Sequence, residues 1–97
     1  MGENRCGKPI FITFKADWWG PCKQFEHVLD LVLPAYEGKI ELFKVDIDNE
    51  PKIASQFGVK SIPFTVMVSI GGQKESQIGA MSPDQLKYML DGLLLKN

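Results

Sequence analysis

The chain has 97 residues, a formal net charge of −1, 44% apolar residues and 24% charged residues. This length and composition are typical of one soluble globular domain and argue against a disordered or fibrous chain. The near-zero net charge gives no electrostatic reason to expect nucleic acid or an anionic membrane as a partner. Because no apolar run approaches the ~20 residues of a membrane span and the first residues lack a signal-peptide core, the sequence predicts a cytoplasmic protein.

The first half of the chain predicts two strands and two helices in alternation. A nearly unbroken apolar and β-branched run from Pro9 to Lys15 is typical of a central parallel strand. A helical period follows, with Pro21 suited to its first turn and Pro34 expected to end it. Strand composition returns from Lys39 to Asp48, and residues 49–58 predict a short helix. These elements form a βαβ unit with one further helix.

The second half predicts an antiparallel hairpin and a final helix. Two strand-like runs, Phe64 to Ile70 and Gln73 to Ile78, are separated by Gly71-Gly72, a tight-turn signal. The second run is polar and is therefore predicted to be an edge strand. Ser82 and Gln85 form a capping box before an amphipathic helix. The predicted order is β-α-β-α-β-β-α.

Four stretches carry a resemblance to a known family: "FITFKADWWGPCK", "KVDID", "FGVKSIPF" and "QIGAMSPDQLKYML". In this order and spacing they resemble the thioredoxin family over about nine tenths of the chain. The resemblance implies an α/β fold in three layers (α/β/α) with a mixed central sheet of about four strands. It also implies a single domain over residues 1–97, with a flexible N-terminus at 1–8 and without the opening strand and helix of full-length thioredoxins.

The sequence departs from the family at the residues that perform its chemistry. In the family, the first cysteine of a C-G-P-C loop attacks a substrate disulfide from a helix N-terminus, and the second cysteine resolves the mixed disulfide. The resemblance implies that Trp19 holds the attacking position and Cys22 the resolving one. The family's buried acid corresponds to Thr13, whose hydroxyl cannot act as a base near neutral pH. The sequence therefore predicts a degenerate W-G-P-C site in which Cys22 is residually reactive at best.

The remaining chemical candidates point to no cofactor and no metal. Cys6 is predicted to be a flexible terminal thiol, too far from Cys22 to pair with it. His27 lies five residues after Cys22, about 140° around the helix, and is expected to have no chemical role. Lys44 and Asp46 correspond to the end of a family strand. The family's matching lysine lies near the buried acid, and because that acid is absent here, Lys44 is expected to have no role in proton transfer. No zinc ligand set or Gly-rich phosphate loop is present.

The family's recognition surface, in contrast, is preserved in the sequence. The resemblance implies a cis-proline at Ile62-Pro63 that faces the active loop, with Gly79 leaving room for a peptide backbone. An apolar rim is expected from Trp18, Trp19, Ile62, Pro63, Phe64, Ile78 and Ala80. Gly20 and Pro21 of the same loop are expected to be binding residues as well. Exposed aromatic patches usually bind a partner, so an extended peptide or partner protein is expected in a groove at Trp18, Trp19 and Pro63. The alternative is that Trp19 folds over Phe64 and merely caps the site.

Three hypotheses of function follow from these features. The first is a thioredoxin-like binding module that holds peptides or a partner without disulfide turnover. The second is a thiol-disulfide oxidoreductase, either a point variant at Trp19 or a monothiol acting through Cys22. The third is a structural subunit that uses the fold as a scaffold. An insulin-reduction assay with dithiothreitol distinguishes the first two.

Overall fold

A computed structural model of the chain describes residues 7–97. The predicted order of elements and the thioredoxin-like α/β fold are confirmed. The expectations for Cys6 and for most of the N-terminus fall on residues 1–6, outside the described range. The elements are β1 (Ile10–Lys15), α1 (Gly20–Val32), a 3-10 turn (Leu33–Tyr36), β2 (Glu41–Asp46), α2 (Pro51–Gln56), β3 (Phe64–Val68), β4 (Lys74–Ile78) and α3 (Pro83–Leu95).

The four strands form one mixed sheet in the order β2-β1-β3-β4. Strand β1 is central, but only β2 runs parallel to it, with Phe11 opposite Leu42, whereas β3 is antiparallel, with Phe11 opposite Met67. The predicted parallel pairing of the βαβ unit and the predicted mixed sheet are therefore both confirmed. Because β2 and β3 flank β1 and run in opposite directions, the chain leaves β2 and enters β3 at the same end of the sheet.

Strands β1 and β2 are shorter than predicted, because backbone hydrogen bonds outside the ladder fix their ends. Pro9 has no N–H to donate, and its carbonyl accepts the N–H of Glu41 at 2.8 Å, so β1 begins one residue later. The N–H of Ile40 donates to the carbonyl of Tyr36, which delays the start of β2. Pro34 lies within the 3-10 turn that follows α1, so the chain keeps a helical path beyond the helix end.

The β3–β4 hairpin is also shorter than predicted. Strand β3 ends at Val68 and β4 begins at Lys74. The N–H of Ser69 donates to the carbonyl of Gln73, and the N–H of Gly72 donates to the carbonyl of Ser69, so these bonds belong to the turn. The positive φ of Gly72 (92°) suits such a turn. Strand β4 lies at the edge of the sheet, as predicted.

Helices cover both faces of the sheet and so give the predicted three layers. The larger core lies between the sheet and the helices α1 and α3, and the smaller core lies beneath α2. Helix α3 begins with the predicted capping box, in which Ser82 accepts from the N–H of Gln85 and the Gln85 side chain accepts from the N–H of Ser82. The larger core includes Phe11, Phe25, Leu29, Met67, Leu86 and Leu90, and the smaller includes Phe14, Ala54, Val66 and Val68.

Candidate functional site

The candidate site is built around the first turn of α1. Trp19 is the N-cap residue, with extended backbone (φ −96°, ψ 121°) and no side-chain cap. Its carbonyl accepts the N–H groups of Cys22 (3.1 Å) and Lys23 (3.2 Å), so Trp19 and Cys22 lie one turn apart. Gly20 and Pro21 between them are exposed, and Pro21 fits the first turn because an N–H there has no partner within the helix.

The two adjacent tryptophans form an exposed pair at this helix start. The indole Nε1–H of Trp18 donates to Asp48 Oδ2 at 2.8 Å, which ties the loop to the segment after β2. The rings of Trp18 and Trp19 meet edge to face, with centroids 6.0 Å apart. Trp19 is 43% exposed, and its ring pairs with Trp18, whereas the ring of Phe64 pairs with that of Phe14. A large apolar surface is thus held in place and open to solvent.

A cavity of about 410 Å³ lies beside this pair. Of the residues predicted to form the recognition surface, it brings together Trp18, Trp19 and Ile62. Sequence reasoning missed four others, although "KVDID" and "FGVKSIPF" contain all of them. The lining residues are Trp18, Trp19, Ile47, Val59, Lys60, Ser61 and Ile62.

The remaining predicted rim residues are distributed differently. Pro63, at a cis peptide bond with Ile62, is buried rather than exposed on the rim, because β3 starts directly after it and its carbonyl accepts the N–H of Gly79 at 2.8 Å. Phe64 is half-buried and packs against the smaller core. Ile78 lies opposite Phe64 and is 66% exposed, and Ala80 is exposed. The apolar rim is therefore continued by side chains around the proline rather than by the proline itself.

Cys22 borders a different cavity from the tryptophans. Its side chain is 5% exposed, and the cavity of about 260 Å³ also contacts His27 and Lys23. His27, which the helical spacing places about 140° around α1 from Cys22, borders the same opening, because the cavity extends along α1 beside the end of β1. The hydrogen bond from Lys15 Nζ to Asp17 Oδ1 (2.6 Å) at its margin raises the pKa of Lys15. Within residues 7–97, no group of three or more His, Cys, Asp or Glu side chains could hold a metal ion.

Thr13 lies on the α1 face of β1, between two strands. It is 1% exposed and stands directly opposite Thr65 of β3, and neither hydroxyl has a hydrogen-bond partner among the described residues. On its other side it is opposite Lys44, whose Nζ donates to Glu26 at 2.8 Å and lies 3.5 Å from Asp30. The hydrogen bond with Glu26 raises the pKa of Lys44. The ammonium group of Lys44 thus forms ion pairs with two carboxylates of α1.

Comparisons with known proteins identify the family. The thioredoxin family profile matches residues 4–92. Thioredoxin 1 of Nostoc sp. is 42% identical over 84 residues, which are 86% of this chain and 78% of that protein. The thioredoxin of Haemophilus influenzae is 38% identical over 83 residues, again 86% and 78% of the two chains. The chain belongs to the thioredoxin family.

Solved structures show the same fold. The germline-specific thioredoxin Deadhead from Drosophila melanogaster has a TM-score of 0.80 at 28% identity, with 91% of this chain and 83% of that chain covered. Chloroplastic thioredoxin z has a TM-score of 0.82, covering 91% and 80%, and at 19% identity it supports the fold alone.

A further relative is informative about how much of a longer thioredoxin this chain matches and about the cellular location of the chain. The chloroplastic M-type thioredoxin of Zea mays is 38% identical over 86 residues, and the matched part spans only 52% of that protein. No helix within residues 7–97 is long and apolar enough to cross a membrane. Because this relative is named as chloroplastic, a cytoplasmic location for the present chain stays a prediction.

Proposed function

We propose that this thioredoxin-family chain binds an extended peptide, or an extended segment of a partner protein, without covalent chemistry and with little or no dithiol turnover. The observation that carries the proposal is the indole of Trp19 at the N-cap of α1, one turn before Cys22. Thiol-disulfide exchange by the family needs a thiolate at that place, and an indole cannot attack a disulfide. The W-G-P-C loop is therefore a degenerate active site.

The groove beside the tryptophans supports peptide binding. Trp18 and Trp19 supply rigid aromatic surface, and Ile62 closes the cavity from the loop before β3. Buried aromatic anchors contribute much of the binding energy in protein interfaces. Gly79 has a positive φ of 91° and open space where a side chain would stand, so a peptide backbone can approach there. Extended segments bind by main-chain pairing of this kind without a thiol.

The separation of the two cavities supports a non-covalent mode. Cys22 borders the cavity on the Lys15 and His27 side of α1, whereas the aromatic groove contains no sulfur. A ligand bound in the groove between Trp18 and Ile62 therefore contacts no thiol group with which it could react.

The buried residue at position 13 supports low turnover. A threonine hydroxyl cannot take the proton from Cys22 at neutral pH, and a general base contributes a factor of ~10² to 10⁴ to such steps. Thr13 is fully enclosed, and Lys44 next to it is paired with Glu26. Neither side chain supplies the missing acid-base chemistry.

A second candidate function is monothiol exchange through Cys22, or oxidoreductase activity in a chain that carries a point change at Trp19. The observation in its favour is that Cys22 borders a cavity next to Lys15 and Lys23, so a small disulfide has a route toward the sulfur. Reduction of insulin disulfides with dithiothreitol distinguishes the two functions. If the binding proposal is right, insulin should be reduced no faster than by dithiothreitol alone. A rate well above that of the uncatalysed reaction would favour the exchange activity.

Binding itself is tested with the insulin B chain after its cysteines have been alkylated, which removes disulfide chemistry. Trp19→Ala should weaken binding by ~1 to 3 kcal/mol if this indole is an anchor, measured by titration calorimetry. Tyr88→Ala is the matched control, because Tyr88 is an exposed aromatic residue on α3. Equal effects of the two substitutions, or backbone chemical-shift changes confined to α3, would exclude the groove.

A further inference from the structure

A groove lies between α3 and the edge strand β4, on the face of the sheet that bears the larger core. Two cavities, of about 350 and 420 Å³, both contact Tyr88 and Met89 and so form one continuous depression along the helix, which we call the α3 groove. It shares no lining residue with the cavity beside Trp18 and Trp19, so it is a separate surface. The first cavity is lined by Gln77, Met81, Asp84, Gln85, Tyr88 and Met89.

The centre of the α3 groove is apolar. The ring of Tyr88 is 79% exposed, Met89 is half-buried against the larger core, and Met81 is buried beneath them. The long unbranched side chain of methionine adapts to partners of irregular shape, and aromatic side chains are common anchors of protein interfaces. An exposed ring beside two methionines is therefore the kind of surface that a partner covers.

Gly92 lies inside α3, although the fold does not require a glycine there. A Cβ atom at this position would meet no atom of the described residues within 4 Å, and the φ angle is not positive. Alanine would fit and would favour the helix, because glycine is a poor helix former. What glycine permits is the close approach of another backbone, and Gly92 borders the α3 groove one turn after Tyr88. A second helix could pack there at ~8 Å, the short end of the usual range of interaxial distances.

The charged residues of the α3 groove are predominantly acidic. Its lining contains one ammonium group and three carboxylates, a net charge of −2, from Lys96, Glu75, Asp84 and Asp91. Lys96 forms an ion pair with Glu75, whereas Asp84 has no ion-pair partner among the described residues. Asp91 accepts a hydrogen bond from the neutral hydroxyl of Tyr36 and so keeps its charge. The charge of the groove therefore complements a cationic partner.

The geometry of the α3 groove favours a helix over an extended segment as the occupant. The backbone groups of α3 bond within the helix, and the unpaired groups of β4 lie in the plane of the sheet rather than in the groove. An extended segment in the groove would leave its own backbone groups without partners, whereas a helix satisfies them internally. A lining of methionine and tyrosine also suits the mode in which an amphipathic helix places its apolar face in a groove.

We propose that the α3 groove docks a basic amphipathic helix of a partner protein. The helix crosses α3 at Gly92, and its apolar side chains contact Tyr88 and Met89. Its Lys or Arg side chains face Asp84 and Asp91. A second copy of this chain fits less well, because two such grooves, each with a net charge of −2, would repel each other.

The probe is the peptide acetyl-Lys-Leu-Ala-Lys-Leu-Ala-Lys-Lys-Leu-Ala-Lys-Leu-Ala-Lys-amide, which places leucines on one helical face and lysines on another. We expect it to shift the backbone amide signals of Tyr88, Met89 and Gly92 in NMR titrations of the full chain and to leave that of Trp19 unchanged. A peptide with glutamate in place of every lysine has the same leucine face and is the matched control. It should bind at least about fivefold more weakly, because the charge of the groove repels it.

Gly92→Ala and Gly92→Leu separate docking from folding. Both introduced residues favour a helix more than glycine does, so both variants should unfold at a higher urea concentration than the parent. The added side chain occupies the crossing point of the two helices. Binding of the lysine peptide should therefore fall about threefold for alanine and at least about tenfold for leucine. A merely structural role for Gly92 would instead lower the urea midpoint of both variants.

Further substitutions distinguish this surface from the aromatic groove and test the role of charge. Tyr88→Ala should weaken binding of the lysine peptide about tenfold and leave binding of the alkylated insulin B chain unchanged, whereas Trp19→Ala should do the reverse. The two proposals can therefore fail separately. Asp84→Asn should weaken binding of the lysine peptide about two- to fivefold, as for an exposed ion pair. Glu37→Gln changes the net charge equally beside β2, at the other edge of the sheet, and should have no effect beyond screening.

Five outcomes would overturn the proposal. Two are the absence of binding at millimolar lysine peptide and shifts around the aromatic groove instead of on α3. Two more are equal binding of the glutamate peptide and undiminished binding of the lysine peptide by Gly92→Leu. The fifth is a change in the α3 signals with protein concentration alone, which would assign the groove to a second copy of the chain.

Discussion

Restoring a thiol at position 19 tests whether the helix start still supports the family's chemistry. Trp19→Cys places a sulfur one turn before Cys22, within the Cα separation that a disulfide requires. The unpaired N–H groups at this end of α1 should lower the pKa of the introduced thiol. We therefore expect the variant to form an intramolecular disulfide and to gain measurable reductase activity.

The size of that gain is limited by Thr13. Without a base the variant should remain ~10² to 10⁴ below an ordinary thioredoxin. Thr13→Asp supplies the acid, but at a position that is 1% exposed and next to a lysine already bound by Glu26. Burying a carboxylate there should lower the free energy of unfolding by ~2 to 4 kcal/mol. The double variant should therefore recover only part of the missing rate.

Insulin-disulfide reduction rates are measured for the parent, the two single variants and the double variant, with urea unfolding of each. The effects on rate should be non-additive, because the acid has nothing to deprotonate usefully while Trp19 remains. A parent as active as the double variant would refute the assignment of Trp19 to the attacking position. Failure of Trp19→Cys to form the disulfide would show that the loop has lost the family geometry.

Three further predictions concern buried groups. In a Cys6→Ser background, Cys22 should react slowly with a thiol reagent in the native protein and rapidly in urea, and rapid native labelling would contradict its 5% exposure. Thr13→Val should raise the free energy of unfolding by ~1 kcal/mol, since it removes an unpartnered buried hydroxyl; a loss of stability would indicate an unseen partner. The hydrogen bond from Tyr36 to Asp91 (2.6 Å) raises the pKa of Tyr36 from 10.0 to about 12, so its stabilisation is complete below pH 10 and lost as the pH rises through 12. Urea unfolding across this range should show the loss in the parent and not in Tyr36→Phe.

The fold was predictable because each element carries a local signal. Period-2 and period-3.6 patterns and the Ser82 capping box identified all the strands and helices. Their ends were not predictable, because bonds such as that from Ile40 to Tyr36 depend on how the chain turns in space. The mixed character of the sheet was predictable only through the resemblance to the family, because the periodic patterns of single strands do not specify the direction of their neighbours.

The site was predictable only where its residues adjoin a recognisable loop. Trp18, Trp19 and Ile62 belong to quoted stretches and do line one cavity. Val59 and Lys60 belong to the same quoted stretch as Ile62, but the stretch alone does not indicate which of its side chains line the cavity beside the tryptophans. The shared opening of Cys22 and His27 was missed for a similar reason, since helical angle alone ignores the neighbouring strand.

The placement of the tryptophans has an optical consequence. The chain contains two tryptophans, and both border the same 410 Å³ cavity. Indole emission from the unlabelled protein therefore originates at one location and reports on that location alone. The edge-to-face contact at 6.0 Å brings the two chromophores close enough for their electronic transitions to interact, which near-ultraviolet circular dichroism detects. Occupancy of the cavity can thus be followed spectroscopically without introducing any reporter group.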